Sequence, residues 1–231
     1  MLANLLSLAD SRLPAGGHAH SGGAEQAVTE GLVTDLDTLA LLLRRRLATS
    51  GSVAAGLAAG AAEAVRSAGP AALLDRLDAE ADARMPLSAT RVASRAQGRG
   101  LVRVGRVAWP AATWDLLPTR PHHAVALGVA AATGGGSAHD AALVAAYLSL
   151  TAPATAVQRL LGLDPVAVAA LLVSMAAELH VVADMVVGDM VVGDMVVGDM
   201  VVGARLPDAS DVLTDLLTAG HTPRKDKLFA S

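Results

Sequence analysis

The stretch TDLDTLALLLRRRL, residues 34–47, decides the fold class. Leu36, Leu39, Leu43 and Leu47 recur at steps of three or four residues, which places them on one face of an α-helix. Thr34-Asp35-Leu36-Asp37 ahead of them is a capping-box-like start, with Asp in place of the usual Glu, and Gly51 predicts the stop. The same pattern continues outward in both directions. Upstream, Leu2 to Ala9 reads as an apolar helix halted by the breaker-rich loop Asp10 to Gly17, and Ser21 to Val28 as a short helix ending near Gly31. Downstream, helices are predicted over 52–68, 71–84, 88–107, 122–133 and 138–161, with Pro153 expected to kink or split the last of these. Asp164-Pro165 supplies an N-cap and a first-turn proline for a helix through Glu178, and 211–219 reads as the last helix, ended by Gly220. Strand signals are almost absent before residue 181, so the expectation is an all-α, single-domain helical bundle over residues 1–220, followed by a tail, 221–231.

Composition sets the kind of core. Hydrophobic residues make up 53% of the 231 but aromatics only 2%, so the interior must be built from Ala, Leu and Val. Small residues let helices approach closely while each contact buries little area, and a partner or a second copy is expected to supply the missing burial. The net charge of −4 provides no global basic field for nucleic acid. With no Cys there is no disulfide, thiol nucleophile or Cys-ligated zinc, which fits a reducing cytoplasm. Met1 to Ser11 lacks the basic region of a signal peptide. Ala141 to Val157, the longest weakly apolar stretch, is interrupted by Pro153 and reads as a buried helix pair rather than a membrane span.

From Val181 to Gly203 the chain repeats VVGDM-like units, with Met185, Met190, Met195 and Met200 five residues apart. On a helix each unit advances about 140°, so the Val pairs spiral instead of lining one face. In a strand an odd period flips each unit to the opposite side. The repeat therefore reads as a tandem expansion on which no core face depends, in preference to a Met-rich surface or an ion-binding array.

Candidate chemistry is sparse. His18-Ala19-His20 could offer two imidazoles to nickel or zinc, with His122-His123 supplying more only if the fold brings them near; a loop role is favoured because a site needs further ligands. Ser21 lies in no nucleophile-elbow pattern. Gly16-Gly17 and Gly22-Gly23 belong to no phosphate-binding loop, and the only lysines are Lys225 and Lys227, so neither catalysis nor a nucleotide site is expected. Arg91, Arg95, Arg99, Arg103 and Arg106 form a basic stripe on one helix. A solvated face, paired in part with acids of a neighbouring helix, and a docking surface for an acidic partner are equally open readings; nucleic acid ranks behind them because no aromatic lies within the stripe.

Four segments, taken together in order and spacing, resemble the urease accessory protein F (UreF) family. They are Leu5 to Glu25, including Pro14, Gly16, Ser21, Gly23 and Glu25; Ala93 to Arg99, with Gln97; Gln158-Arg159-Leu160-Leu161; and Leu228 to Ser231. His18 and His20 stand where many members carry Tyr, and the 181–203 repeat looks like an insertion. The resemblance implies an all-α homodimer that binds urease accessory protein D (H in some systems). That pair recruits the nickel-carrying GTPase, accessory protein G, to apo-urease. It also implies that nickel is handled by the complex, with no cofactor or tight metal site of this chain's own. The partner-binding residues expected on this basis are Arg95 and Arg99 of the stripe with Gln97 between them, and Arg224, Lys227, Leu228 and Phe229 in a tail that stays mobile until a partner orders it. A stand-alone histidine nickel binder and an Arg-stripe nucleic-acid binder remain as alternatives.

Overall fold

The computed structural model describes residues 2–10, 12–14, 20–191, 206–209, 211–221 and 228–229. All regular elements among them are helical: α1 (Leu2–Ala9), α2 (Ala24–Thr29), α3 (Leu36–Arg46), α4 (Ser52–Ala64), α5 (Pro70–Ala83), α6 (Ser88–Ala108), α7 (His123–Thr133), α8 (Ala138–Leu161), α9 (Pro165–Ser174), α10 (Ala176–Val191) and α11 (Val212–His221). A π-helical turn, Leu47–Gly51, joins α3 to α4, and a 3-10 turn, Ala112–Leu116, precedes α7. The all-α single-domain expectation holds.

α4 lies at the centre, packed against α7 and α8. Its sequence, SVAAGLAAGAAEA, is buried almost throughout, and its small side chains let neighbours in. A Cβ on Gly128 of α7 would collide with the Ala58 carbonyl of α4. Leu57, Leu74, Leu77, Leu101, Leu127 and Trp114 fill the core half bordered by α5, α6 and α7. Leu39, Leu43, Leu150, Val157 and Met175 fill the other half, between α3, α8 and the start of α10.

Several local expectations are corrected. The cap of α3 is Asp35, one residue later than read from the sequence; its carboxylate accepts the Thr38 amide at 2.9 Å, and the Thr38 hydroxyl accepts the Asp35 amide at 3.1 Å. Gly51 does not stop the helix. It carries the chain through the π turn with φ −69°, where an added Cβ would lie 2.8 Å from the Ser149 hydroxyl of α8, so glycine serves close approach rather than termination. Pro153 does not split α8 into a pair: one helix runs from Ala138 to Leu161. Conversely, the single helix expected from Pro165 to Glu178 breaks at Met175 into α9 and α10.

The repeat is also partly structural. α10 continues through its first units to Val191, and Leu179, Val182, Ala183 and Val186 are buried. Their steps of three, one and three make a helical stripe on α8 and α4. A five-residue period drifts around a helix, but over a single unit Val182 and Val186, four apart, still share a face. The remainder of the repeat lies outside the described residues.

By length and composition alone α8 could cross a bilayer; it is instead packed against α4, α7 and α10, with 56% of its most apolar window buried.

Candidate functional site

The turn Gly22-Gly23 sets the site's geometry. Both residues have left-handed backbones, φ 60° and 86°, which glycine adopts without strain. Gly23 also lies where a Cβ would be 3.4 Å from Leu217 of α11. The turn delivers Ser21 and Glu25 into the interior, 0% and 3% exposed. The Ser21 hydroxyl accepts the Glu25 amide at 3.4 Å. The Glu25 carboxylate reaches across 203 residues of sequence: Oε1 accepts the amide of Leu228 at 2.7 Å and Oε2 that of Phe229 at 3.1 Å. Leu228 projects outward, 78% exposed, while Phe229 packs on the core half formed by α2, α3 and α8. At these two residues a buried carboxylate with two acceptor oxygens matches two successive backbone donors.

Phe229 also lines a cavity of about 120 Å³ together with Leu8, Asp10, Leu13, His20, Gln97, Leu101, His123 and Arg159. Segments scattered along the sequence thus converge: the loop after α1, the middle of α6, the end of α8 and residue 229. A neighbouring cavity of about 240 Å³ shares His20, Gln97 and His123 and extends to Arg46, Arg84, Asp211 and Thr218. The hydroxyls of Ser50 and Thr90, which line it, are buried without a hydrogen-bond partner. His123 is pushed down to about 4 by burial and, secondarily, by the neighbouring charge of His20. Burial also lowers His20. Both imidazoles are therefore neutral at physiological pH.

Beside this cavity sits a network that pairs the Arg stripe with acids of the neighbouring helix α5 and adds His122, which the sequence had not placed there. Arg95 of α6 pairs with Asp78 (2.9 Å) and Asp82 (2.6 Å) of α5 and donates to the Arg120 carbonyl. His122, fully buried, gives its backbone amide to Asp78 at 2.7 Å; its ring meets Ser94 at 3.0 Å and Asp82 at 2.8 Å. Gly98 permits this packing, because a Cβ there would strike the Pro121 carbonyl. Burial pulls Asp82 up, yet the bonds from His122 and Arg95 hold it below the usual carboxylate range. Burial lowers His122, outweighing the pull of Asp82. The one available signal was i, i+4 spacing of Asp78 and Asp82 opposite the Arg stripe.

The stripe accordingly divides. Arg95 is an internal strut, not part of a solvated face; Arg91 bonds the Pro86 carbonyl at 2.9 Å, and Arg106 pairs with Asp115 at 2.7 Å. Arg99 and Arg103 remain exposed. Gln97 faces the cavities, Pro14 and Arg159 are exposed, and the Gln158 carbonyl caps the end of α8 by accepting the amides of Gly162 and Leu163. Gly16, His18, Arg224 and Lys227 lie outside the described residues. His20 and His123 share a cavity but His122 is turned away into its own network, and no cluster of three or more metal-ligating side chains occurs among the described residues.

Fold and site together describe an all-helical domain whose chain-distant segments meet at one cavity. The sequence model of the UreF family matches residues 33–176. The urease accessory protein UreF of Mycolicibacterium vanbaalenii is 48% identical over 231 residues, covering all of this chain and 99% of that one. Those of Mycobacterium marinum and Mycobacterium tuberculosis are 45% and 41% identical over 230 residues, with the same coverage. The chain belongs to the UreF family of urease accessory proteins, which assigns it a role in urease maturation.

Proposed function

We propose that this chain is a non-enzymatic, protein-binding adaptor. With accessory protein D it recruits or gates the nickel-carrying GTPase, accessory protein G, so that nickel reaches apo-urease in the cytoplasm. The observation that carries this reading is the convergence of the family-like segments on one face: Asp10 and Leu13, His20, Gln97, Arg159 and Phe229 border a single cavity, with exposed Arg99, Arg159 and Leu228 available to a partner. The sequence carries no phosphate-binding loop and no lysine before Lys225, which supports assigning nucleotide chemistry to the partner. α9 supports a homodimer. Its sequence, PVAVAALLVS, has no charged residue, and Val166 and Val173 are each 74% exposed, an apolar face suited to a second copy.

Co-expression with accessory proteins D and G and apo-urease tests the reading. Co-purification of the three accessory chains, and nickel-dependent urease activity lost when this chain is omitted, are expected. Full activation in its absence would overturn it.

A further inference from the structure

We propose that the start of α7 and the cavity of about 240 Å³ that it borders form a binding site for a small oxyanion. α7 has 11 residues and lacks a side-chain cap. Its N-cap residue, His122, commits its ring elsewhere, to Ser94 and Asp82. The His123 amide finds the Ser94 hydroxyl at 3.2 Å. The amides of Ala124 and Val125 find no acceptor among the described residues, although the two residues are only 5% and 0% exposed. Buried first-turn amides need an acceptor, and the partial positive charge of a helix N-terminus favours an anionic one. His123 and Ala124 place this turn on the cavity wall.

Side-chain donors from other elements border the same cavity. The hydroxyls of Ser50, in the turn between α3 and α4, and of Thr90, on α6, are buried without a hydrogen-bond partner. The Gln97 amide and the neutral His123 ring likewise make no hydrogen bond among the described residues. Arg46 gives Nε and Nη1 to the Ser149 and Gly22 carbonyls and forms no ion pair among the described residues, so Nη2 keeps its donors. The carboxylates on the cavity, Asp211 and Asp215, belong to α11 and its cap, and Asp211 is neutralised by Arg45 at 2.9 Å. Arg84 is committed to Glu80 and to the Pro207 carbonyl. The α3, α6, α7 and α8 walls therefore offer a guanidinium, two orphan hydroxyls and a helix start, with no carboxylate among them. An oxyanion, with several lone pairs and a negative charge, matches that set. A cation does not, because guanidinium and backbone amides present only hydrogens. The site stands independently of the adaptor reading above.

The full-length chain titrated with inorganic phosphate, sulfate and bicarbonate, each against sodium chloride of equal ionic strength, tests the site. At least one oxyanion should raise the melting temperature above the chloride control, and the Ala124 and Val125 amide resonances should move with the same titration. Thr90→Val removes an unpartnered hydroxyl at nearly constant shape. Without oxyanion it should melt no lower than wild type, and it should weaken oxyanion binding about tenfold, the loss of one hydrogen bond to a charged group. Should Thr90→Val perturb the fold by circular dichroism, Ser50→Ala gives the same readout from the α3–α4 turn. Ala124 and Val125 amides unmoved by all three oxyanions would overturn the site, whatever the melting curves show. A response equal in wild type and both variants would also overturn it, by placing the anion outside this cavity.

Discussion

The Arg46 Nε donates to the Ser149 carbonyl at 2.9 Å, and Ser149 stands four residues before Pro153. That carbonyl is the one a proline at 153 leaves without its helical donor. The guanidinium replaces the missing N–H, and its Nη1 also holds the Gly22 carbonyl at 2.7 Å, tying the turn before α2 to the middle of α8. Space for this strut is reserved: a Cβ on Gly22 would lie 2.6 Å from the Arg46 guanidinium.

The substitutions Arg46→Met and Pro153→Ala should therefore be coupled. Arg46→Met alone leaves two carbonyls unsatisfied and should cost about 2–3 kcal/mol. In the Pro153→Ala background, residue 153 regains an amide for Ser149, and the cost of Arg46→Met should fall by about 1 kcal/mol, the remainder reflecting Gly22. Urea denaturation of the four proteins gives the coupling energy; strict additivity would show that Arg46 does not serve the Pro153 gap.

Arg95 and Arg99 should behave oppositely. Arg95→Glu places a third carboxylate beside Asp78 and Asp82 and should destabilise the fold by about 3 kcal/mol or more. Arg99→Glu, on an exposed position, should change stability by less than about 0.5 kcal/mol while weakening capture of accessory proteins. Thermal melts and pull-downs on the two single variants separate the roles.

Acid should weaken the protein through its buried imidazoles. His123 titrates near 4 in the fold and His122 is also lowered, so below the ordinary histidine range near 6.5 the unfolded chain binds more protons than the folded one. Stability is then full above about pH 6.5 and falls as pH drops toward 4, by up to roughly 3 kcal/mol for His123 at 1.36 kcal/mol per unit. Asp82, lowered as well, extends the loss into more acidic solution. His123→Gln should flatten the slope of unfolding free energy between pH 6.5 and 4; an unchanged slope would show that His123 is not held neutral.

Deleting Met185 to Asp199 should leave the fold intact, for a reason the repeat itself supplies. The cut joins Asp184 to Met200-Val201-Val202, so Val201 takes the place of Val186, which is 1% exposed. Deleting Met185 to Val197 instead puts Asp199 there and should destabilise the helix–core contact by several kcal/mol, on the order of the cost of a buried unpaired charge. Equal melting temperatures for the two deletions would contradict the placement of Val186 in the core.

Helix identity was legible from sequence because it depends on local spacing and breakers: Leu36, Leu39 and Leu43 on α3 with Leu47 just beyond it, and Asp164-Pro165 at the start of α9. Where the reading failed, the reason was a contact with a distant element. Gly51 and Pro153 look like breakers, and both are absorbed because Ser149 and Arg46 meet them. The Arg stripe looks solvated until α5 brings Asp78 and Asp82 against it.

Sequence by itself determined the all-helical class, the aliphatic core and, through its resemblance, the family, since composition, periodicity and motif order are properties of the chain read in line. Tertiary structure alone decided which charges are struts and which are exposed, that Val182 and Val186 belong to the core, and that Glu25 holds the amides of Leu228 and Phe229. Those outcomes depend on pairings across up to 204 residues, where burial and the partner's position, rather than residue type, set the strength of each interaction.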